Sequence, residues 1–457
     1  IINIYFRDSI SQFQGNLFEL SYFGQNICYR GRFTSSLKLG SDALNQVYST
    51  DKAFAALDSN GKVVTWGDAS RGGDSSSVSG EIQAEVAKIV SSEGAFAALK
   101  TNGSVVTWGD QLYGQTDSSI LQAPDPAKLG SGVAKIYANK YSFAALKFDG
   151  SVVTWGIKSH GGDSSDVASQ LSSGVKEIYS TFFDFAALKT DGSLVCWGYS
   201  AGYAFNNSIP SIPDQVATGV KNVYSNVNSF VALKTNGGLV TWGNPSDGGD
   251  SSSVSGEIQA GVLKVYSTSY AFAALKSDGK VVTWGSAGDG GNSSSVSGEI
   301  QAGVSRIYST ESAFAALKTN GGIVTWGSAG NGGDSSSVSA KIQASVLKVY
   351  STSYAFAALK SDGQVVTWGI AGNGGDSSLV SAHVQEGVRK MYSTDRAFAA
   401  IDLDGKTVTW GDAATGGDSS SISGEIQSGI EKIFSSSYAF AALKSDGSLV
   451  CWGTDCE

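Results

Sequence analysis

The stretch KVYSTSYAFAALKSDGKVVTWG, residues 264–285, decides the fold of this chain. Its beginning, around Val265–Thr268, is β-branched and aromatic, which predicts a short strand. A second strand is predicted from Ala271 to Lys276, where successive side chains alternate between two faces. The SDG at 277–279 predicts a hairpin turn, because glycine supplies a positive φ there. Residues 280–284 then form a third strand.

The alternation assigns the side chains to faces. Phe272, Ala274 and Lys276 share one face of the second strand, and the residues between them share the other. Val282 and Trp284 share a face of the third strand. One such sheet cannot bury both of its faces, so we expect sheets to stack. The small residues of FAAL allow a close approach, and the Phe and Trp rings fill the space between sheets.

The unit recurs ten times, and each copy ends in a Trp-Gly pair. Successive pairs are separated by 42, 47, 42 and 45 residues and then five times by 42. The pairs contain all ten tryptophans of the chain, and we interpret these as the repeated core: Trp66, Trp108, Trp155, Trp197, Trp242, Trp284, Trp326, Trp368, Trp410 and Trp452. We number the repeats 1–10 by these tryptophans. The predicted class is therefore all-β, with about three strands and a short connector in each of ten 42-residue repeats.

The linker after each Trp-Gly predicts one or two helical turns. Val296, Ile300 and Val304 follow an i, i+4, i+8 spacing. Gly298 weakens a helix by roughly 1 kcal/mol, so the connector should be short or irregular. Asn292 precedes a serine run and is a candidate N-cap. Aspartate takes its place in six other linkers, at Asp74, Asp163, Asp250, Asp334, Asp376 and Asp418. This row could attract cations or a basic partner, but its replacement by Asn favours capping.

The strings FAALKSDGKVVTWG and WGDQLYGQTD, residues 272–285 and 108–117, resemble repeats of the regulator of chromosome condensation family. The short unit is closer still to the compact repeats of β-lactamase inhibitor protein II, which has the same propeller fold. The resemblance spans about residues 41–453. It implies a β-propeller-like array, and it leaves function open because the family includes an exchange factor, an inhibitor and many scaffolds.

Two departures from the family stand out. Family propellers usually have seven blades, whereas this chain has ten units, and its linker is mostly GGDSSS instead of YGQ. Ten blades could close into one wide ring, wind as an open lock-washer, or form a seven-bladed ring with three extra units. We favour a single continuous array with one blade per repeat.

The repeats define the domain boundaries. Residues 41–457 form the repeat domain, and residues 1–40 lie outside the period. This N-terminal part could cap the first blade, complete a blade shared with the C-terminus, or end a preceding segment. Capping is favoured, because terminal units of an array lack a neighbour.

Two linkers break the pattern, at Asp110–Ser131 and Tyr199–Gln215. Irregular loops on a regular scaffold often carry specificity. The aromatic residues within them are our candidate partner contacts: Tyr113, Tyr199, Tyr203 and Phe205.

The composition excludes several classes of function. A net charge of −9, with no basic run, argues against nucleic acid and anionic lipid as partners. No stretch approaches the ~20 apolar residues of a membrane span. His160 and His383 lie in different linkers where other copies have unrelated residues. We therefore expect no catalytic, cofactor or metal site, and a protein that is not an enzyme.

The four cysteines leave pairing open. Cys451 could pair with Cys456, or Cys28 with Cys456, and otherwise all four are free thiols. Asn102, Asn206 and Asn292 stand in Asn-X-Ser sequences, which matter only in a secreted protein. The low charge and the Ser/Gly content slightly favour an extracellular, cell-surface or organelle-lumen location over the cytosol.

The favoured function is a structural, scaffolding or protein-interaction protein that presents a repetitive surface. Its expected partners are other proteins, including as a subunit of a larger complex or filament. The alternatives are a propeller-face binder or inhibitor of a target protein, and a guanine-nucleotide-exchange-like regulator.

Overall fold

Ten antiparallel sheets, one for each repeat, make up the described part of the chain. The computed structural model describes residues 44–110, 121–198 and 218–454. In every sheet the three strands of a repeat pair in the order first, second, third. Repeats 1–5 belong to one compact unit, Asp42–Ser255, and repeats 6–10 lie in another, within Gly256–Glu457. The predicted all-β, propeller-like repeat architecture is confirmed.

The strands have nearly the same length in every repeat. The first strands are β1 Leu44–Ser49, β4 Val86–Ser91, β8 Val133–Ala138, β11 Val175–Ser180, β14 Val220–Ser225, β17 Val262–Ser267, β20 Val304–Ser309, β23 Val346–Ser351, β26 Val388–Ser393 and β29 Ile430–Ser435. The second strands are β2 Ala53–Asp58, β5 Ala95–Lys100, β9 Ser142–Lys147, β12 Asp184–Lys189, β15 Ser229–Lys234, β18 Ala271–Lys276, β21 Ala313–Lys318, β24 Ala355–Lys360, β27 Ala397–Asp402 and β30 Ala439–Lys444. The third strands are β3 Val63–Gly67, β6 Val105–Gly109, β10 Val152–Ile157, β13 Leu194–Gly198, β16 Leu239–Gly243, β19 Val281–Gly285, β22 Ile323–Gly327, β25 Val365–Gly369, β28 Thr407–Gly411 and β31 Leu449–Gly453. A two-residue strand, β7 Leu121–Gln122, joins β10 as a fourth strand in repeat 3.

The register places the large rings side by side. In repeat 6, Phe272 lies opposite Trp284, and their ring centroids are 5.5 Å apart. The predicted strands and their alternation are confirmed in this repeat. The first strand carries a bulge that the alternation did not predict, because Val262 pairs with Lys276 but Lys264 pairs with Leu275.

The core lies between neighbouring sheets. Ala271, Ala273 and Leu275 of repeat 6 pack against Phe314 and Trp326 of repeat 7. The alanines have no exposed surface, and their small side chains let the neighbouring sheet approach. Each fully buried Phe contributes about 1.5–3 kcal/mol, and the same contact recurs along each unit.

The connectors are shorter and tighter than the spacing predicted. Most consist of two 3₁₀ turns rather than α-helical turns, because Asx caps and glycines interrupt them. The 3₁₀ segments are Ala69–Arg71, Ser76–Val78, Lys158–His160, Ser165–Val167, Pro245–Asp247, Ser252–Val254, Ala287–Asp289, Ser294–Val296, Ser336–Lys341, Ala371–Asn373, Ser378–Val380, Ala413–Thr415 and Ser420–Ile422. A π-type turn covers Ala329–Gly333, and two four-residue α-helices are α1 Pro126–Leu129 and α2 Ser381–Val384.

The aspartate row hydrogen-bonds the backbone at the start of the second connector turn, but its residues stand one position before the N-cap that the sequence predicted; a serine such as Ser293 occupies the N-cap. Oδ1 of Asn292 accepts the backbone N–H of Ser294 at 2.9 Å. The aspartates accept the equivalent N–H two residues on at 2.8–2.9 Å, at Asp74, Asp163, Asp250, Asp334, Asp376 and Asp418. The backbone N–H of Ser76 lowers the pKa of Asp74, because it stabilises the carboxylate.

Within each unit, a buried tryptophan hydrogen bond ties a regular linker to the repeat that follows it. Nε1 of Trp326 donates to the carbonyl of Gly290 at 3.0 Å. Gly290 has φ +96, and a Cβ there would lie 2.6 Å from Cδ2 of Phe314. Five other tryptophans make the same bond, Trp108, Trp197, Trp368, Trp410 and Trp452. The first glycine of the linker GG pair is therefore required by both its backbone angle and the ring beside it at Gly72, Gly161, Gly290, Gly332, Gly374 and Gly416.

An irregular linker breaks this connection. Trp242 follows the irregular linker of repeat 4, and its Nε1 has no hydrogen-bond acceptor in the described part of the chain. The residues that replace GGD in that linker lie outside the described residues.

Gly290→Ala should destabilise the protein by about 2–4 kcal/mol, because a left-handed angle and an overpacked ring both add cost. The matched control is Gly288→Ala in the same linker, where a Cβ meets nothing within 4 Å and φ is not positive. Guanidinium unfolding followed by tryptophan fluorescence measures both. Equal stability of the two variants would contradict the role assigned to Gly290.

Candidate functional site

The turns between the first and second strands vary most strongly in chemistry among repeats. Apart from the two irregular linkers, many of the remaining segments are close to identical; for example, GGDSSSVSGEIQ recurs at 72–83 and 248–259. The central two residues of the turns range from charged to aromatic, and we call them the variable turns. They are 51–52 DK, 93–94 EG, 140–141 KY, 182–183 FF, 227–228 VN, 269–270 SY, 311–312 ES, 353–354 SY, 395–396 DR and 437–438 SY.

A constant frame holds each variable turn. In repeat 6, Oγ1 of Thr268 accepts the backbone N–H of Ala271 at 3.0 Å and donates to the carbonyl of Asp289 at 2.8 Å. Asn139 does the same in repeat 3, accepting from Ser142 at 2.7 Å and donating to the carbonyl of His160 at 2.6 Å. The frame residue thus fixes the turn while the next two positions are free to differ.

Within each unit, backbone hydrogen bonds join the first residues of successive variable turns. In repeats 1–5 the N–H to carbonyl pairs run Asp51 to Glu93, Glu93 to Lys140, Lys140 to Phe182 and Phe182 to Val227, at 3.0–3.3 Å. In repeats 6–10 they run Ser269 to Glu311, Glu311 to Ser353, Ser353 to Asp395 and Asp395 to Ser437, at 2.8–3.1 Å. Residues about 42 apart in sequence therefore stand in a row on a hydrogen-bonded backbone.

Charged side chains of both signs are buried in the row of repeats 1–3. Nζ of Lys140 lies 3.3 Å from Glu93 and 5.0 Å from the centroid of the Tyr141 ring. Nη1 of Arg71 lies 4.0 Å from Asp51. Burial raises the pKa of Asp51 to about 7 and lowers the pKa of Lys140 to about 7. Both groups therefore titrate near neutral pH.

Aromatic rings from repeats 3 and 4 gather beside these charges. The Tyr141 ring stacks on Phe183 at 5.9 Å between centroids, and His160 meets the edges of both rings at 4.8 and 5.2 Å. Burial, together with the nearby charge of Lys140, lowers the pKa of His160 to about 4. The imidazole is neutral at physiological pH and serves here as one ring of the cluster.

The row of repeats 6–10 buries acidic groups among tyrosines. Glu311 has no exposed surface, and burial raises its pKa to about 7. Burial raises the pKa of Asp395 to about 6 and that of Tyr354 to about 12, the latter helped by the charge of Glu311. The guanidinium of Arg396 lies 5.6 Å from the centroid of the Tyr354 ring.

The candidate contacts from the irregular linkers, Tyr113, Tyr199, Tyr203 and Phe205, lie outside the described residues. Their role stays a prediction. Of the repeat tryptophans, nine are at least 96% buried and Trp66 is partly buried.

The cysteines occupy different environments. Cys451 is disulfide-bonded, and Cys456, the predicted partner, lies outside the described residues. Cys196 is a buried free thiol, and burial raises its pKa.

The described residues contain no group of three or more His, Cys, Asp or Glu side chains able to hold a metal ion. Among the same residues no helix is long and apolar enough to cross a membrane.

Comparison with known proteins finds similarity to solved structures only. No protein-family model and no curated protein sequence matches the chain. Similar structures include the ectodomain of the Physcomitrella patens receptor kinase CR4, at 15% identity over 61% of this chain and 73% of that one, with a TM-score of 0.33. The CRINKLY WD40 ectodomain of the Arabidopsis thaliana receptor kinase ACR4 matches at 14% identity, 61% and 97% coverage and a TM-score of 0.33.

A third similar structure is Prp20p from Saccharomyces cerevisiae, at 17% identity over 54% of this chain and 73% of that one, with a TM-score of 0.32. A solved structure of Kap60 bound to yeast RCC1 (Prp20) is also similar to this chain. The TM-scores are low, and the assignment of ten RCC1-like repeats rests on the ten sheets and their recurring motif. In that sense the predicted repeat type is confirmed.

Neither the catalytic motifs nor the irregular linkers of the sequence indicate the variable turns. The signal that identifies them is present in the sequence, because aligning the ten copies with one another shows where they differ. Only the fold shows that these positions are neighbours in space.

Glu311→Gln should stabilise the protein at about pH 8 by at most about 3 kcal/mol and have little effect at about pH 5. The raised pKa means that the folded state prefers the protonated carboxyl. Its contribution to stability is therefore complete below the ordinary pKa and is lost as the pH rises through about 7. Denaturant unfolding at both pH values measures the difference. Glu299→Gln, an exposed glutamate in the linker that precedes the repeat of Glu311, is the control. An equal effect of Glu311→Gln at both pH values would contradict the assignment.

Proposed function

We propose that this protein is a non-enzymatic interaction and scaffolding protein that recognises another protein through its variable turns. The observation that carries the proposal is the contrast between nearly uniform sheets and a row of turns that differ in charge and size. A purely structural array needs uniform geometry, but it gains nothing from turns whose residue pairs range from SY, which occurs three times, to DK, FF and DR.

The chemistry of the row suits a protein partner. Protein interfaces are enriched in tyrosine, phenylalanine and arginine, and such residues dominate binding energy. Partly exposed rings occupy the second position of five variable turns, Tyr141, Phe183, Tyr270, Tyr354 and Tyr438. The hydrogen-bonded backbone beneath them reduces the entropy lost on binding.

The two alternative functions would use the same surface, the variable turns, and differ only in the partner that binds there. An inhibitor-like binder or an exchange-factor-like regulator would also present these turns to its target. Membership of a larger complex is compatible with each, because five or more equivalent positions can engage a partner that is itself repetitive.

Photo-crosslinking tests the surface. Benzoylphenylalanine placed singly at Tyr270, Tyr354 and Tyr438 should crosslink to the same partner in an extract of the native source. The control positions are Phe148 and Leu403, which are 80% and 75% exposed at the turns between the second and third strands. Crosslinks from the control positions alone would rule out the variable turns as the recognition surface.

The triple variant Tyr270→Ala, Tyr354→Ala, Tyr438→Ala should weaken binding of the crosslinked partner by at least about tenfold, since aromatic anchors dominate interfaces. Surface plasmon resonance with the purified partner measures the loss. Phe148→Ala, Leu403→Ala is the control and should bind as the parent does. An unchanged affinity of the triple variant for the crosslinked partner would contradict the proposal.

A further inference from the structure

The third position of the first strand carries a cation in every repeat from 6 to 10. The residues are Lys264, Arg306, Lys348, Lys390 and Lys432, each 42 residues after the last. Lys264 and Arg306 are exposed, and the other three are partly exposed. The first strands of successive repeats lie beside one another, so these side chains form a row that we call the cationic row. It is notable in a chain whose net charge is −9.

Aromatic rings position at least three members of the row. Nζ of Lys264 lies 4.7 Å from the centroid of the Tyr266 ring, and Nζ of Lys348 lies 4.6 Å from that of Tyr350. Lys432 has the same relation to Phe434 at 4.7 Å. A cation held over a ring face keeps its charge and loses part of its freedom before any ligand binds.

Repeats 1–5 do not continue the row. The equivalent residues are Gln46, Lys88, Lys135, Glu177 and Asn222. Here Nζ of Lys135 lies 2.9 Å from Glu177, which also accepts a hydrogen bond from the hydroxyl of Tyr137. An acidic residue inside the row pairs with its neighbour, so the uniform positive charge belongs to repeats 6–10.

Exposed leucines stand next to the cations. Leu263 and Leu347 are the extra residues of the bulges in repeats 6 and 8, and they are 59% and 63% exposed. Each directly precedes a lysine of the row. In repeats 6 and 8 the surface therefore places an exposed apolar side chain beside the cation, whereas the equivalent residues of repeats 7, 9 and 10 are Ser305, Arg389 and Glu431.

We propose that the cationic row binds an extended acidic peptide segment of a partner protein. Its carboxylates pair with the five cations, and its apolar side chains contact Leu263 and Leu347. Nucleic acid fits less well, because unstacked bases need open aromatic faces and lysine ammonium groups already cover three of them. The row uses different residues from the variable turns, so this inference stands apart from the proposed function.

Fluorescence anisotropy with a labelled peptide of alternating glutamate and leucine tests the inference on the full chain. The peptide should bind, and its glutamine–leucine counterpart should bind at least about tenfold more weakly. Binding should weaken as NaCl rises from about 50 mM to about 500 mM, because exposed ion pairs are screened.

Charge reversal identifies the surface. Lys264→Glu, Lys348→Glu, Lys432→Glu should abolish binding of the glutamate–leucine peptide. Lys264→Arg, Lys348→Arg, Lys432→Arg should retain it. Lys348→Glu should weaken binding more than Lys341→Glu, which changes an exposed lysine in the linker that precedes the same repeat. If charge reversal disturbs the circular dichroism spectrum, the triple Lys→Gln variant takes its place and should lose binding as well.

Two results would overturn the inference. One is retention of the glutamate–leucine peptide by a folded charge-reversed or glutamine variant. The other is tighter binding of oligothymidylate than of the peptide, which would identify a nucleic-acid surface instead. In either case crosslinking through the variable turns is measured separately, so the failure of one proposal leaves the other distinguishable.

Discussion

The hydrogen bond from a tryptophan indole to the left-handed glycine of the preceding linker holds successive repeats in register. This bond requires the linker to fold back against the next sheet. The Asx hydrogen bond after the GG pair fixes the backbone of the linker turn that follows. The Phe ring stacked on the tryptophan occupies the space where a glycine Cβ would lie. A buried hydrogen bond contributes only about 1 kcal/mol net. Because the bond recurs and the Phe and Trp rings pack beside it, each sheet fixes the position of the next sheet in its unit.

A scaffold fixed in this way can carry side chains that would otherwise destabilise it. Burying Asp51, Glu311 and Asp395 raises their pKa values, which means that their charged forms are unfavourable in the folded protein. Such costs concentrate at functional positions when the surrounding structure is stable enough to bear them. The constant frame of threonine or asparagine and the backbone link between repeats provide that stability at the variable turns.

The two surfaces arise from the same periodicity in opposite ways. At the variable turns the ten repeats contribute eight different pairs, with SY shared by repeats 6, 8 and 10, so the row can recognise a shape and charge pattern that is only partly repetitive. In the cationic row each of five repeats contributes the same charge, so the row suits a ligand with regularly placed negative charges. A ring beneath the ammonium group and a leucine before it define this second surface more closely than charge alone would.

The sequence by itself determined the ten repeats, the three strands of each, the faces of the strands and the Asx hydrogen bonds of the linkers. These follow from local periods and from substitutions between copies, which need no knowledge of distant contacts. The sequence misjudged the connectors, where glycines and Asx caps produce 3₁₀ turns in place of α-helical ones. It also directed attention to Tyr113, Tyr199, Tyr203 and Phe205, whose contribution stays a prediction.

Only the tertiary structure decided which residues became neighbours. The chain has no run of basic residues, yet five cations spaced 42 apart form a row once the sheets stack. His160 is isolated in the sequence and becomes part of an aromatic cluster spanning two repeats. Stacking of the sheets brings residues about 42 positions apart in the sequence into contact. Burial of the enclosed groups then shifts their pKa values. Both depend on the packing of whole sheets, which no local stretch of the sequence contains.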